Sequence, residues 1–241
     1  MTRLNPTDIY EAMDANEHRV NFANYIPVAV SLLAKIARRK GWRRDNPTAG
    51  IEKLEVPEER KKPHVAWPDK AVKKMREKGQ GLARLIFEIG IGSVQRPGDW
   101  VGFVWGDFDG NNLKLKQNKT GVELLLPCTR ELKRELLKAK AALPDAPNEG
   151  RPILAKADGS VMSYHTMARI MRKERERLGF TQYDLHALRY RGVKELAYAG
   201  RDDDEISSYS GHMTKAMIRK YVGEARQEML ARSANKKREK A

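Results

Sequence analysis

Arg96, Lys119, His186, Arg189, His212 and Tyr221 are side chains of the types that can cleave a phosphodiester together. Breaking that bond without a metal poses three tasks. A nucleophile must attack phosphorus, the charge of the phosphorane must be neutralised, and the leaving 5′-oxygen needs a proton. Arginine suits the second task, because its planar fork donates parallel, charge-assisted hydrogen bonds to non-bridging oxygens. Histidine or lysine suits the third, since each gives up a proton near neutral pH when its surroundings are tuned. Tyrosine can attack and leave a covalent link that conserves the bond for rejoining. The spacing supports a common site: His186 and Arg189 are three apart, hence on one helix face. Tyr221 lies nine residues beyond His212, about two and a half turns if the segment between them is helical.

These residues need elements to hold them. Arg96 sits in a Gln-Arg-Pro-Gly-Asp turn after an apolar helix predicted over 82–91, with a short helix expected after it through Val104. Lys119 falls at the tip of a predicted hairpin, its strands Asn112–Gln117 and Val122–Pro127 joined by Lys119-Thr120-Gly121. Further helices are expected at 69–78, 129–142, 163–178, 186–199, 203–209, 214–222 and 224–235. The fold class is mainly α with a small antiparallel β-sheet (α+β).

The first segment reads separately. Thr7 is expected to cap a short helix carrying Ile9, Tyr10 and Met13, and a longer helix follows. Its apolar face is read as Val28, Leu32, Leu33 and Ile36, with Pro27 marking a kink or its first turn. The stretch 52–68 is charged and punctuated by prolines, as an interdomain strap would be. The organisation is therefore read as a helical segment 1–51, a linker 52–68 and a larger domain 69–241.

Composition sets the class of partner. The chain has 241 residues, 47 Lys and Arg against 32 Asp and Glu, and a net charge of +15. Such an excess on a folded chain points to a polyanion, nucleic acid being the commonest. Arg38, Arg39, Lys40, Arg43 and Arg44, with Lys61 and Lys62 in the strap, are candidates for phosphate contact; a solvated basic face is the plain alternative. One cysteine, Cys128, excludes an internal disulfide framework and a cysteine-based zinc site, and fits a reducing cytoplasm. Asp202-Asp203-Asp204-Glu205 reads as a helix N-terminus rather than a metal site. The apolar stretches read as too broken by charge to span a bilayer, and MTRLNPTDIY lacks a signal peptide's apolar core, so no membrane partner is expected.

The order of the candidates resembles the active-site series of the tyrosine recombinases of the phage-integrase type. IGSVQRPGDWVGFVWGDFD is similar to that family's first box, KTG to its hairpin lysine, LHALRYRGV to its second box and SGHMTKAMIRKYV to its Gly-His…Tyr ending. NPTDIYEAMD and VSLLAKIARRKGWRRDNP resemble the last helices of the core-binding domain, so 1–51 would be part of that domain. No arm-binding domain precedes them, and a shortened chain is the expectation. The resemblance implies that Arg96 and Arg189 clamp the scissile phosphate and that Lys119 protonates the leaving 5′-oxygen. His186 would assist proton transfer, His212 would bond a phosphate oxygen, and Tyr221 would attack, leaving a 3′-phosphotyrosine. Asp99 would orient Arg96 or its neighbourhood.

The implied function is site-specific recombination for a phage or mobile element. Its partners would be double-stranded DNA and further copies of the chain, a tetramer on DNA and a monomer off it. It would work in the bacterial cytoplasm without metal or other cofactor. A type IB topoisomerase-like enzyme would share the chemistry, and a DNA-binding regulator would lack it. Residue by residue, each candidate has a plainer role: Arg96 a helix cap, Lys119 a turn lysine, and Tyr190, Tyr198 and Tyr209 rival tyrosines. The C-terminal helix, with Val222, Ala225, Met229 and Leu230 on one face, could pack on its own domain or on a neighbouring copy.

Overall fold

The computed structural model describes residues 4–60, 65–211 and 215–239, except for the side chains of 215–217, 219–221 and 224–225. The chain divides into two compact units, Met1–Pro63 and His64–Ala241.

In the first unit, α1 (Pro6–Asp14) is followed by α2 (Val20–Arg39). The cap of α1 is Asn5, not Thr7: Asn5 and Asp8 form a reciprocal capping box, and Pro6 takes the first helical position, where its missing N–H costs nothing. The buried face of α2 is also the reverse of the expected one. Ala23, Pro27, Ala34 and Ala37 are buried, while Val28, Leu32, Leu33 and Ile36 are exposed. Ala23 packs with Ile9 and Met13 of α1, backed by Leu4, Ile26, Val30, Ile51 and Leu54. Residues 52–60 of the expected linker belong to this unit, whereas Trp67 lies in the core of the second. The Asn24 side chain bonds both backbone groups of Leu54, and the Arg60 guanidinium donates to the His18 carbonyl. Glu17–Arg39, 23 residues, is long and apolar enough to cross a membrane by length and composition. This corrects the reading that no stretch qualifies, because Val20–Ala34 carries no charged residue.

The second unit is helical around one hairpin. It contains α3 (Asp69–Lys78), α4 (Gly81–Ser93), α5 (Pro97–Trp100), β1 (Asn112–Lys116), β2 (Glu123–Pro127), α6 (Arg130–Ala141), α7 (Tyr164–Leu178), α8 (His186–Tyr198), α9 (Asp203–Ser210) and α10 (Lys215–Arg238). The helix expected to run to Val104 stops at Trp100, and a single 3-10 turn follows at Trp105–Asp107. The two helices expected at 214–222 and 224–235 are one, because Gly223 is exposed mid-helix and costs only its extra backbone entropy. β1 and β2 pair antiparallel with Leu113 opposite Leu126 and Leu115 opposite Leu124.

The core joins Trp67, Phe87, Ile89, Trp100, Leu113, Leu132, Leu136, Met171 and Leu188. The buried Arg76–Glu88 ion pair (2.9 Å) fastens α3 to α4, and burial pushes the Glu88 carboxyl up against the pull of Arg76. α4 and α8 cross where Gly192 leaves no Cβ. A methyl there would lie 2.3 Å from the Ile91 carbonyl oxygen and 2.8 Å from Val94 Cγ2. A second apolar cluster, Val94, Val193, Ala197, Ile206, Ile218 and Val222, seats α9 and α10 against α8.

Candidate active site

The Arg96 turn begins with strain. Val94, the C-cap of α4, has φ 56° and ψ 19°. A β-branched residue in the left-handed region is an outlier that costs about 1–3 kcal/mol and persists only where packing over-determines it. Here the packing is the Val94–Val193–Ile218 cluster. The twist turns the chain so that Gln95 is fully buried and Arg96 half-buried at the start of α5, where Pro97 presets the helical φ. The indole N–H of Trp100 donates to the Gln95 carbonyl (3.1 Å) and locks the turn from below. Arg96 Nη1 is buried with no hydrogen-bond acceptor among the described residues. A guanidinium nitrogen left so is costly, and an anion at that point would satisfy it.

Lys119 is exposed in the turn between β1 and β2. Its neighbours are held on both sides. The Asn118 backbone N–H donates to Asp99 Oδ1 (3.0 Å), and Thr120 Oγ1 donates to Gln117 Oε1 (2.6 Å). Asp99 therefore ties the Lys119 turn to the Arg96 turn, its own N–H donating to the Arg96 carbonyl (2.8 Å).

His186 opens α8, and Arg189 lies one turn on, 3% exposed, its Nη2 donating to the Ser210 carbonyl (3.2 Å). The start of α8 is fixed by Asp184, whose carboxylate accepts from the Ala187 N–H (2.8 Å) while its carbonyl accepts from the Trp67 indole (3.2 Å). The Tyr190 ring meets the His186 ring edge-on, with centroids 6.0 Å apart. His212 lies outside the described residues, as do Lys61 and Lys62. Tyr221 belongs to α10, and its side chain lies outside the described ones.

Two residues that sequence reasoning missed join these segments. Gln117 Nε2 donates to Gln95 Oε1 (2.6 Å) and to the Ser210 carbonyl (3.0 Å). Gln95 Nε2 donates to the carbonyls of Ser93 (2.9 Å) and Tyr209 (3.2 Å). The Arg96 turn, the Lys119 hairpin, Arg189 and the end of α9 thus meet at one buried amide pair. One signal was present: Gln117 shares the inward parity of Leu113 and Leu115, so a polar residue occupies a core-facing position.

Two of the rival tyrosines are engaged elsewhere. The Tyr209 hydroxyl is within hydrogen-bond distance of the carbonyls of Gly92 (2.9 Å) and Pro127 (2.7 Å), and burial pushes its pKa up to about 12. The Tyr198 hydroxyl donates to Glu228 (2.9 Å), which holds its proton on. The acidic run is structural too: Asp202 caps α9 in a capping box with Glu205, and Asp203 pairs with Arg226. Among the described residues no group of three or more His, Cys, Asp or Glu could hold a metal.

Arg38, Arg39, Lys40 and Arg44 are exposed at the end of α2 and beyond it, but Arg43 is not available in the same way. Its guanidinium forks onto Asp45 (2.8 Å for each nitrogen) and also donates to the Leu4 carbonyl (2.6 Å), holding the Asp45 carboxyl below its usual range. Arg43 ties the first unit together instead of presenting a free cation. The pKa of Cys128 is pushed up to about 11 by burial. Alkylation by iodoacetamide at about pH 8 is therefore expected to run at least ~10-fold slower than for free cysteine, because the thiolate is the reactive form. Mass-spectrometric rates in native buffer and in urea check this; equal rates would refute it.

Residues 70–228 match the phage integrase family. No curated protein matches the chain. Among solved structures, a lambda integrase(75-356) dimer bound to a COC' core site is similar at 20% identity and a TM-score of 0.75, over 92% of this chain and 81% of that one. A longer lambda integrase chain in a dimer on the same kind of site aligns over 92% of this chain but only 65% of its own length, with 21% identity and a TM-score of 0.73. The Tn1549 transposon integrase in complex with circular intermediate DNA is similar at 14% identity and a TM-score of 0.69, over 91% of this chain and 81% of that one.

Proposed function

The chain belongs to the phage integrase family, and on that premise we propose that it cleaves and rejoins double-stranded DNA at specific sites with Tyr221 as nucleophile. The family makes it a tyrosine recombinase, an enzyme of DNA strand breakage and rejoining. What supports the residue assignment is the buried junction that draws the Arg96 turn, the Lys119 turn, Arg189 and the end of α9 onto one hydrogen-bonded pair.

In the proposed reaction the Tyr221 phenolic oxygen attacks phosphorus and the P–O5′ bond breaks. Arg96 and Arg189 neutralise the non-bridging oxygens, the first through the nitrogen that lacks an acceptor and the second from a buried, carbonyl-anchored position. His212, directly after the fixed Gly211, bonds the same oxygens. The phenolic proton passes to His186, and Lys119 gives a proton to the leaving 5′-oxygen. The products are a 3′-phosphotyrosine and a 5′-hydroxyl; attack by a second 5′-hydroxyl reverses the step on a new strand. The phosphotyrosine retains the bond, so the reaction needs no metal, nucleotide or other cofactor.

The related lambda integrase structures are a dimer on a core site and a tetramer on a Holliday junction. We infer the same for this chain: copies assemble on DNA, with a monomer off it. Arg38, Arg39, Lys40 and Arg44 meet phosphates without reading sequence. A phage or transposable element is the genetic context, and the bacterial host cytoplasm the setting.

A nicked suicide substrate in EDTA tests the assignment, with candidate attachment sequences supplied as a pool. The wild-type chain is expected to form a covalent protein–DNA adduct and Tyr221→Phe none. An adduct that survives the substitution, or tight site-specific binding without any adduct, overturns Tyr221 as the nucleophile.

A further inference from the structure

Gln95 and Gln117 lie at 0% and 1% exposure, and the reaction as proposed uses neither. A buried amide is tolerated where its donors and acceptors are matched, and this pair is matched throughout. Both N–H groups of Gln117 are engaged, on Gln95 Oε1 and the Ser210 carbonyl, and its Oε1 accepts from Thr120. Both N–H groups of Gln95 are engaged, on the carbonyls of Ser93 and Tyr209. Each oxygen meets a donor and each nitrogen an acceptor, so neither amide can flip without leaving buried groups unpaired.

The direction of the chain of bonds matters. It runs from the end of α9 through Gln95 and Gln117 to Thr120, the residue after Lys119. On the other side Asn118, the residue before Lys119, is bonded to Asp99. The Lys119 turn is otherwise an exposed hairpin tip, a kind of segment that moves freely unless tied. Three side-chain bonds flank the lysine, since the Asn118 amide also donates to the Gly98 carbonyl (3.3 Å), and the one from Thr120 is anchored in the buried pair.

We propose that Gln117, with Gln95 behind it, is a positioning residue that holds the Lys119 ammonium where the leaving 5′-oxygen departs. The proposal rests on the reading of Lys119 as proton donor. Removing the amide would leave Arg189 its own bond to the Ser210 carbonyl, so the larger loss of restraint falls on the lysine turn.

The test uses single-turnover adduct formation on two suicide substrates, one with the natural scissile phosphate and one with sulfur replacing the bridging 5′-oxygen. A thiolate leaves without needing a proton, so the sulfur substrate removes the demand on the lysine. Gln117→Leu is expected to cleave the natural substrate about 10- to 100-fold more slowly, a fraction of the 10²–10⁴ that general acid catalysis supplies. On the sulfur substrate it is expected to match the wild type, as Lys119→Ala does. Thr120→Val lies in the exposed turn, where folding is not at risk, and cuts the last bond of the chain; a smaller deficit, also corrected by sulfur, is expected. If sulfur corrects Lys119→Ala but not Gln117→Leu and Thr120→Val, or if these two show no deficit, the positioning role is overturned alone. If the Lys119→Ala deficit persists on sulfur, the proton-donor reading falls and takes this proposal with it.

Discussion

Arg189→Lys is expected to lower the rate of adduct formation by roughly 10³-fold while leaving affinity for the DNA site within a few-fold of wild type. The reason lies in how Arg189 is held. It is 3% exposed, and one arm of its fork is bonded to the Ser210 carbonyl. A guanidinium can keep that anchor and still present a second nitrogen in a fixed plane. An ammonium is one point charge on a flexible stem, so it must give up either the anchor or the phosphate. Binding is spared because duplex affinity is spread over many phosphate contacts, whereas in the proposed reaction the charge that develops on the phosphorane is met by a few groups of which Arg189 is one. The Ser210 carbonyl retains the Gln117 N–H as donor. Single-turnover adduct kinetics at saturating protein, beside gel-shift affinities, separate the two effects. A loss of affinity that accounts for the whole loss of rate would show that Arg189 binds substrate and transition state alike.

Much of this arrangement is legible in the sequence. Asp69–Lys78 was read with its observed ends, because its apolar residues Val72 and Met75 recur at helical spacing between a proline and a glycine. The hairpin was legible from period-2 alternation between turn residues, and the catalytic candidates from the order of their types along the chain. What stayed hidden has physical causes. An apolar stripe on α2 shows that the helix has a face, but not which face is covered. Alanines at 23, 34 and 37 permit close approach and were buried, while the larger Leu32 and Leu33 were left outside. Pro6 fixed the first helical position of α1 and so moved the cap to Asn5. The left-handed Val94 is invisible locally, because only packing against α8 and α10 stabilises it. Gln95 and Gln117 escaped because their partners, Tyr209 and Ser210, lie 114 and 93 residues away. Polar residues at motif edges read as turn chemistry until distant carbonyls are seen above them.

Gly211→Ala is expected to be among the most damaging single methyls in the second unit. Gly211 ends α9 with φ 64° and ψ 106°, a region that L side chains rarely adopt. An added Cβ would also lie 2.3 Å from Gln117 Nε2 and 2.7 Å from its Cδ, so the buried amide would have to leave. The strain costs about 1–3 kcal/mol. Each hydrogen bond that Gln117 then loses to a buried carbonyl adds about 1–3 kcal/mol. For a chain of this size a loss of about 3 kcal/mol lowers Tm by roughly 6–12 °C. Cleavage should fall further than stability, because the displaced amide is the tie to the Lys119 turn and the strained glycine leads directly into His212. The double variant with Gln117→Ala separates steric conflict from backbone strain. With the amide cut back there is room for the new methyl, so Gly211→Ala should then cost only its backbone strain of about 1–3 kcal/mol. A coupling of at least about 1 kcal/mol in urea unfolding is the expected sign of direct contact. Adduct formation should stay low in the double variant, since room for the methyl does not restore the bond to Thr120. Additive stabilities would mean that the backbone angle alone makes the glycine necessary, and that Gln117 is not what presses against it.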